Sequence, residues 1–147
     1  MSSLTKYCNN SSFGYEEFTD DKTVLDAVDD AAHVNWGGNW RMPTKDELEE
    51  LVANCTWTWS TINGVSGYRV ISNVKGFEGR FIFLPAAGYR YDWSLDSKDS
   101  YGYYWSSSLY TSYPSGAWCF AFDSDDASTS NGSRQYGRVV RPVCPKE

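Results

Sequence analysis

The apolar periodicity of this chain changes once, at Asn54, and that change constrains the fold more than any other feature. Before it, apolar residues recur at helical spacing. Residues 23–33 put Val24, Leu25, Val28, Ala31 and Ala32 on one side of a predicted helix, with Asp26, Asp29 and Asp30 opposite. Gly37 and Gly38 close that unit, and Trp40-Arg41-Met42-Pro43 leads as an extended piece into a second helix. Thr44 and Glu47 have the spacing of a capping box, the threonine hydroxyl accepting a first-turn N–H while the glutamate reaches back. Leu48, Leu51 and Val52 supply the buried stripe, and the helix should stop near Asn54.

Beyond Asn54 the period becomes two. Residues 56–61 alternate Trp57 and Trp59 with Thr and Ser, Asn63-Gly64 signals a tight hairpin turn, and residues 68–72 return. Phe81-Ile82-Phe83-Leu84 reads as a strand covered on both faces. Residues 101–106, 117–122 and 137–143 are further predicted strands, and loops rich in turn residues fill 88–100, 109–116 and 123–136. Helices followed by a mostly antiparallel sheet make an α+β domain. A chain of 147 residues fits one such domain, with residues 1–20 as an irregular leading segment.

Charge narrows the partners. The net charge is −6 and no Lys/Arg cluster is present, so nucleic acid and anionic membrane are unfavourable partners. No apolar run approaches the ~20 residues of a membrane helix. The start lacks a charged and an apolar region of signal-peptide type, so export would rest on a longer parent chain or another route. Cys8, Cys55, Cys119 and Cys144 contain no C-x-x-C, and the one histidine, His33, is distant in sequence, which argues against structural zinc. A Cys8–Cys144 pair tying the ends and four free thiols are both open readings.

Residues 105–143 differ from the rest. They contain no Lys, Glu or Met, and they interleave Ser, Tyr, Asp, Gly and Asn with a thin apolar skeleton of Trp118, Phe120, Phe122, Val139, Val140 and Val143. Antibody paratopes use a similar mixture, because Tyr offers large contact area at low entropy cost and Ser, Gly and Asn bond adaptably. This points to a binding surface, without a catalytic site or a cofactor.

Four stretches in order carry a family resemblance: Trp40-Arg41-Met42-Pro43-Thr44 with Glu47-Leu48, Phe83-Leu84-Pro85-Ala86-Ala87-Gly88-Tyr89-Arg90, Gly102-Tyr103-Tyr104-Trp105-Ser106-Ser107-Ser108, and Val140-Arg141-Pro142-Val143. Together they resemble the DUF1566 / Fibrobacter succinogenes major paralogous domain family. The resemblance implies a C-type-lectin-like fold, with two helices packed on a twisted antiparallel sheet and long ligand-facing loops. It also implies kinship with variable proteins of diversity-generating retroelements. There, adenine-directed mutation of Asn codons in a template can yield Ser, Tyr, Asp, Gly, Ala, Cys and others, but not Lys, Glu, Met, Gln or Trp. Tyr110, Ser112, Tyr113, Ser115, Gly116, Cys119, Ala121, Asp123, Asp126, Ser128, Ser130, Asn131, Ser133 and Tyr136 all fall in that set, whereas Gln135 does not.

Other chemistries have weaker support. The run Asp123-Ser124-Asp125-Asp126 invites calcium, yet EF-hand spacing and the Glu-Pro-Asn and Trp-Asn-Asp motifs of calcium-dependent lectins are missing, which favours a solvated acidic loop. His33 ends a predicted helix with no nucleophile context nearby and reads as structural. The resemblance also implies a fold branch shared with the formylglycine-generating enzyme, which uses closely spaced cysteines, whereas Cys119 and Cys144 lie far apart. Trp36, Trp40, Trp57, Trp59, Trp105 and Trp118 read mostly as packing residues, and Trp93, in the 88–100 loop, as a surface contact.

The expectation is a non-enzymatic ligand-binding domain, extracellular, at a cell surface or at a phage tail tip, that recognises a cell-surface protein or glycan. Tyr110, Tyr113 and Tyr136 would be its aromatic anchors, and Ser112, Ser115, Ala121, Asp123, Asp126, Ser128, Ser130, Asn131 and Ser133 its smaller contacts, with Trp93 alongside. Its acidic loop would favour neutral glycans or a basic protein patch. The alternative is a structural module of an adhesin or fimbria-like assembly. Uncovered tyrosines would favour the first, and an open strand edge or apolar patch the second.

Overall fold

The computed structural model describes residues 3–145. Two short helices precede eight strands, α1 (Ala31–Trp36), α2 (Lys45–Asn54), β1 (Cys55–Ile62), β2 (Val65–Ser72), β3 (Phe81–Pro85), β4 (Tyr89–Tyr91), β5 (Ser94–Asp96), β6 (Gly102–Leu109), β7 (Gly116–Phe122) and β8 (Ala127–Ser133). The strands form three antiparallel sheets in the orders β1-β2-β3, β4-β5 and β6-β7-β8. The architecture is α+β, dominated by strand.

Helix α2 forms as its sequence dictates. Thr44 Oγ1 accepts the Glu47 N–H, and the Glu47 carboxylate accepts the Thr44 N–H at 2.9 Å. Arg41 clamps the same carboxylate through two bonds of 2.7 and 2.6 Å. With Arg41 first and the Thr44 N–H assisting against desolvation, Glu47 is held down at about 2. The β1–β2 hairpin also follows its signal, with Asn63 and Gly64 both at positive φ (51° and 79°), as a type I′ turn requires.

The first helix departs from the pattern read in residues 23–33. It begins only at Ala31, because the preceding backbone groups are engaged elsewhere. Leu109 donates to the Thr23 carbonyl and Leu25 to the Ser107 carbonyl, which holds this stretch extended along β6. The aspartates are drawn away too. Lys22 pairs with Asp26, and Asp29 accepts from Lys6 and from the Tyr7 hydroxyl. Asp30 is buried and caps α1, taking the Ala32, His33 and Met42 N–H groups. Val28, expected on the buried side, stands 73% exposed.

Three further expectations are corrected. Strand β3 lies at a sheet edge, and its Phe81 is exposed, with the Arg69 guanidinium 4.1 Å from the ring centre in place of a second layer. Residues 137–143 form no strand; they make single bridges from Gly137 to Arg90, Val139 to Tyr104 and Val143 to Arg41. The 123–136 loop instead contains β8, and the 88–100 loop contains the β4–β5 hairpin. All four cysteines are free. Cys8 is buried inside the N-terminal segment, where its N–H meets the Asp20 carboxylate, while Cys144 is exposed.

Between α2 and the sheets lies the core of Leu48, Tyr68, Val70, Leu84, Ala86, Tyr104, Phe120 and Phe122. Trp57 and Trp59 flank Tyr68 edge-on at 5.5 and 5.2 Å and reach Phe120 and Phe122 across the sheets. Tyr104 donates its hydroxyl to the Pro85 carbonyl at 2.8 Å, and burial pushes its phenol well above the usual range. Trp36 and Trp40 stay outside this core and are largely exposed.

Candidate ligand-binding face

The β6-β7-β8 sheet presents two unlike surfaces because successive side chains alternate. On β7, Trp118, Phe120 and Phe122 turn inward, which leaves Cys119 and Ala121 on the outer side. Register carries the alternation across the sheet: Trp105, Cys119 and Ser130 form one outer row, and Tyr103, Ala121 and Ser128 the next.

Arg138 lies on this outer face. Its guanidinium carbon sits 4.4 Å from the Trp105 ring centre, 4.9 Å from Tyr103 and 5.7 Å from Tyr136, and Nη1 donates to Cys119 Sγ at 2.6 Å. Such contacts hold a cation without a carboxylate partner. Burial raises the Cys119 thiol, with the Arg138 charge opposing, and its sulfur accepts the guanidinium N–H. Gly132 permits the close approach, since a Cβ there would stand 2.3 Å from Arg138 Nη2.

Around the guanidinium the tyrosines interlock. Tyr136 meets Tyr89 and Tyr91 edge-on, each at 5.4 Å, Tyr89 meets Tyr103 at 5.3 Å, and Tyr101 stacks on Tyr103 at 6.0 Å. Trp105 donates its indole N–H to the Tyr136 carbonyl at 3.3 Å. The β4–β5 hairpin brings Tyr91 to this cluster and carries Trp93 at its tip, where the indole is 97% exposed. Tyr91 and Tyr101 are also exposed.

The structure divides the residues expected to act together. Tyr136, Ala121, Ser128 and Ser130 come to the outer face, and Trp93 stands on the adjoining hairpin. Tyr110, Ser112, Tyr113 and Ser115 occupy the β6–β7 connection beyond the other end of β7. There Tyr110 packs on Trp118 at 5.1 Å, Tyr113 on Phe13 at 5.0 Å, and the Ser115 carbonyl accepts the Arg134 N–H. Asn131 and Ser133 pair in register with Trp118 and Gly116 and so face the α2 side. Asp123 and Asp126 close the β7–β8 turn, where Asp123 Oδ1 accepts the N–H groups of Asp125 and Asp126. Seven residues of β7, about 20 Å of strand, separate the β6–β7 connection from the Asp123–Asp126 turn, whereas β8 runs back so that Ser133 pairs with Gly116 and Arg134 meets Ser115.

Sequence reading missed Arg138, Tyr89, Tyr91, Tyr101 and Tyr103. Their convergence depends on strand register, and the one local signal was an arginine two residues after Tyr136 in a stretch without lysine. The serines of Trp105-Ser106-Ser107-Ser108 prove structural. Where the β6–β7 ladder is interrupted by a bulge, Ser106 Oγ donates to the Trp118 carbonyl at 2.8 Å and accepts the Ser108 N–H at 3.1 Å.

Among the described residues no group of three or more His, Cys, Asp or Glu side chains is placed to hold a metal, and no helix is long and apolar enough to cross a membrane. Neither the curated proteins nor the solved structures give a significant match. The family model described as the Lcl C-terminal domain matches residues 5–144; this family is related to DUF1566 but is not the same. With the match spanning nearly its whole length, the chain belongs to the Lcl C-terminal domain family.

Proposed function

We propose that this chain is a non-enzymatic ligand-binding domain, displayed at a cell surface or phage tail tip, whose contact surface is the outer face of the β6-β7-β8 sheet. The observation that carries the reading is the aromatic field around Arg138, bordered by the exposed Tyr91, Tyr101 and Trp93. Large rings held by their neighbours give up little entropy on binding. The small Ala121, Ser128 and Ser130 beside them leave room for a ligand. Its class is a cell-surface glycan or protein, because exposed rings and hydroxyls suit sugar faces and polar loops alike.

Two helices followed by antiparallel sheets support a C-type-lectin-like fold as the finer reading. Small or aromatic residues at outer-face positions support retroelement diversification, since exchanges there leave the core untouched. A near-copy of the coding segment for residues 105–143 beside a reverse transcriptase would establish it, and absence of any such copy would remove it.

The test is a glycan and protein array probed with the purified domain, followed by Trp93→Ala with Tyr101→Ala, and separately by Tyr113→Ala. The expected result is loss of the array ligand in the double variant and retention in Tyr113→Ala. Full retention in the double variant, with unchanged folding, overturns this face. One observation favours the assembly module instead: Val28, Val34, Trp36 and Trp40 leave an exposed apolar patch near α1. Concentration-dependent self-association abolished by Val34→Asp would support it.

A further inference from the structure

Beside α2, apart from the outer face, a cavity of about 260 Å3 runs into the core. Leu51 and Ile82 line it, and it reaches the buried side chains of Leu48, Leu84, Tyr104 and Phe120. Such a pocket leaves its apolar lining against water unless something else fills it. Its apolar walls suit hydrocarbon better than water, which needs two to four polar partners.

Two charged residues, Glu47 and Arg141, also line it. Glu47 is already engaged by the Arg41 guanidinium and the Thr44 N–H. Arg141 is exposed and makes no ion pair or side-chain hydrogen bond among the described residues. Its charge nevertheless reaches the Tyr104 phenol, so it lies within electrostatic range of the cavity wall. The cavity therefore combines an apolar interior with one uncommitted cation.

We propose that this cavity binds a small amphipathic carboxylate, with the aliphatic tail against Leu48, Leu84 and Phe120 and the carboxylate on Arg141. The volume equals that of about nine waters at ~30 Å3 each, the scale of a chain of roughly six to eight carbons. An ammonium head would meet Arg141 as a like charge, and Glu47 is already paired. A neutral head would forgo the charge-assisted bond. Nothing in this site depends on the outer face.

The experiment titrates the full chain with octanoate, octanol and octylammonium. It follows thermal unfolding and the emission of Trp57, whose ring lies 5.1 Å from Phe120. The expected result is saturable binding of octanoate, roughly tenfold weaker binding of octanol, and none of octylammonium. Arg141→Gln should bring octanoate down to the octanol level while leaving the unliganded melting temperature unchanged. Absence of a saturable octanoate response, equal binding of all three probes, or wild-type octanoate binding by Arg141→Gln would each overturn the proposal. Loss of array binding by the outer-face variants bears only on that face.

Discussion

Within β7, Trp118, Phe120 and Phe122 point one way and Cys119 and Ala121 the other, so neighbouring residues of one strand have different duties. The inward set packs into the space between two sheets and a helix, where Phe120 and Phe122 join the buried core. The outward set supports an arginine and a ring of tyrosines with solvent beyond them. Each side also has a glycine that admits a larger neighbour. Gly102 lets the Phe122 ring lie over β6, because a Cβ there would stand 2.0 Å from the ring tip, and Gly132 does the same for Arg138. The core and the candidate contact surface therefore draw on different residues of the same sheet.

The strongest way to break this comparison is Phe120→Ala. Its side chain is 1% exposed, and the truncation should cost about 3–5 kcal/mol in urea unfolding. A cost below about 1 kcal/mol would mean that the inward face is not the core. Gly102→Ala comes next, at about 1–3 kcal/mol, since the Phe122 ring it displaces is packed on all sides. Gly132→Ala is its counterpart outside. The group displaced there is the end of a flexible side chain, so stability should change by less than about 1 kcal/mol while Trp105 emission shifts as Arg138 leaves it. Equal costs for the two glycines would erase the distinction.

Acid titration tests the inner layer in another way. Glu47 has its folded value near 2, below its unfolded value of 4.5. Its contribution is therefore complete above about pH 4.5 and lost as pH falls through 2. The carboxylate is partly exposed, so solvent screening reduces the effect to about 1 kcal/mol. Glu47→Gln should flatten that part of the pH–stability curve, and an unchanged slope would show that the Arg41 clamp contributes nothing. The smallest effect belongs to Trp93→Ser, expected within about 0.5 kcal/mol of wild type by thermal melting.

What the sequence revealed follows the reach of the interactions involved. Helix α2 and the β1–β2 hairpin were legible because Thr44 with Glu47, and Asn63 with Gly64, act over three residues or fewer. The helix expected at 23–33 was misread because Asp29 and Asp30 serve distant partners, Lys6, Tyr7 and Met42, and because the Thr23 and Leu25 backbone pairs with β6. Strand β8 escaped notice for want of apolar alternation. Its inward Thr129 donates to Glu49 of α2, while its outward Ser128 and Ser130 carry no core contact. The outer face was half visible: Tyr136 and Trp93 stood out, but the meeting of Tyr136 with Tyr89 and Arg138, and of Arg138 with Tyr103, depends on register between strands far apart in sequence.

The three single bridges of residues 137–143 also bear on the order of folding. Gly137 fastens to Arg90, Val139 to Tyr104 and Val143 to Arg41, so one short segment closes loops of very different length back to three separate elements. Closing a long loop costs entropy before its contacts return any stability. This segment should therefore settle only after the hairpin, the central sheet and the Arg41 lead are in place. Because Arg138 lies within it, the aromatic cluster on the outer face should be completed after the inner sheet packing, and hydrogen exchange should find the amides of Gly137, Val139 and Val143 opening before those of β7.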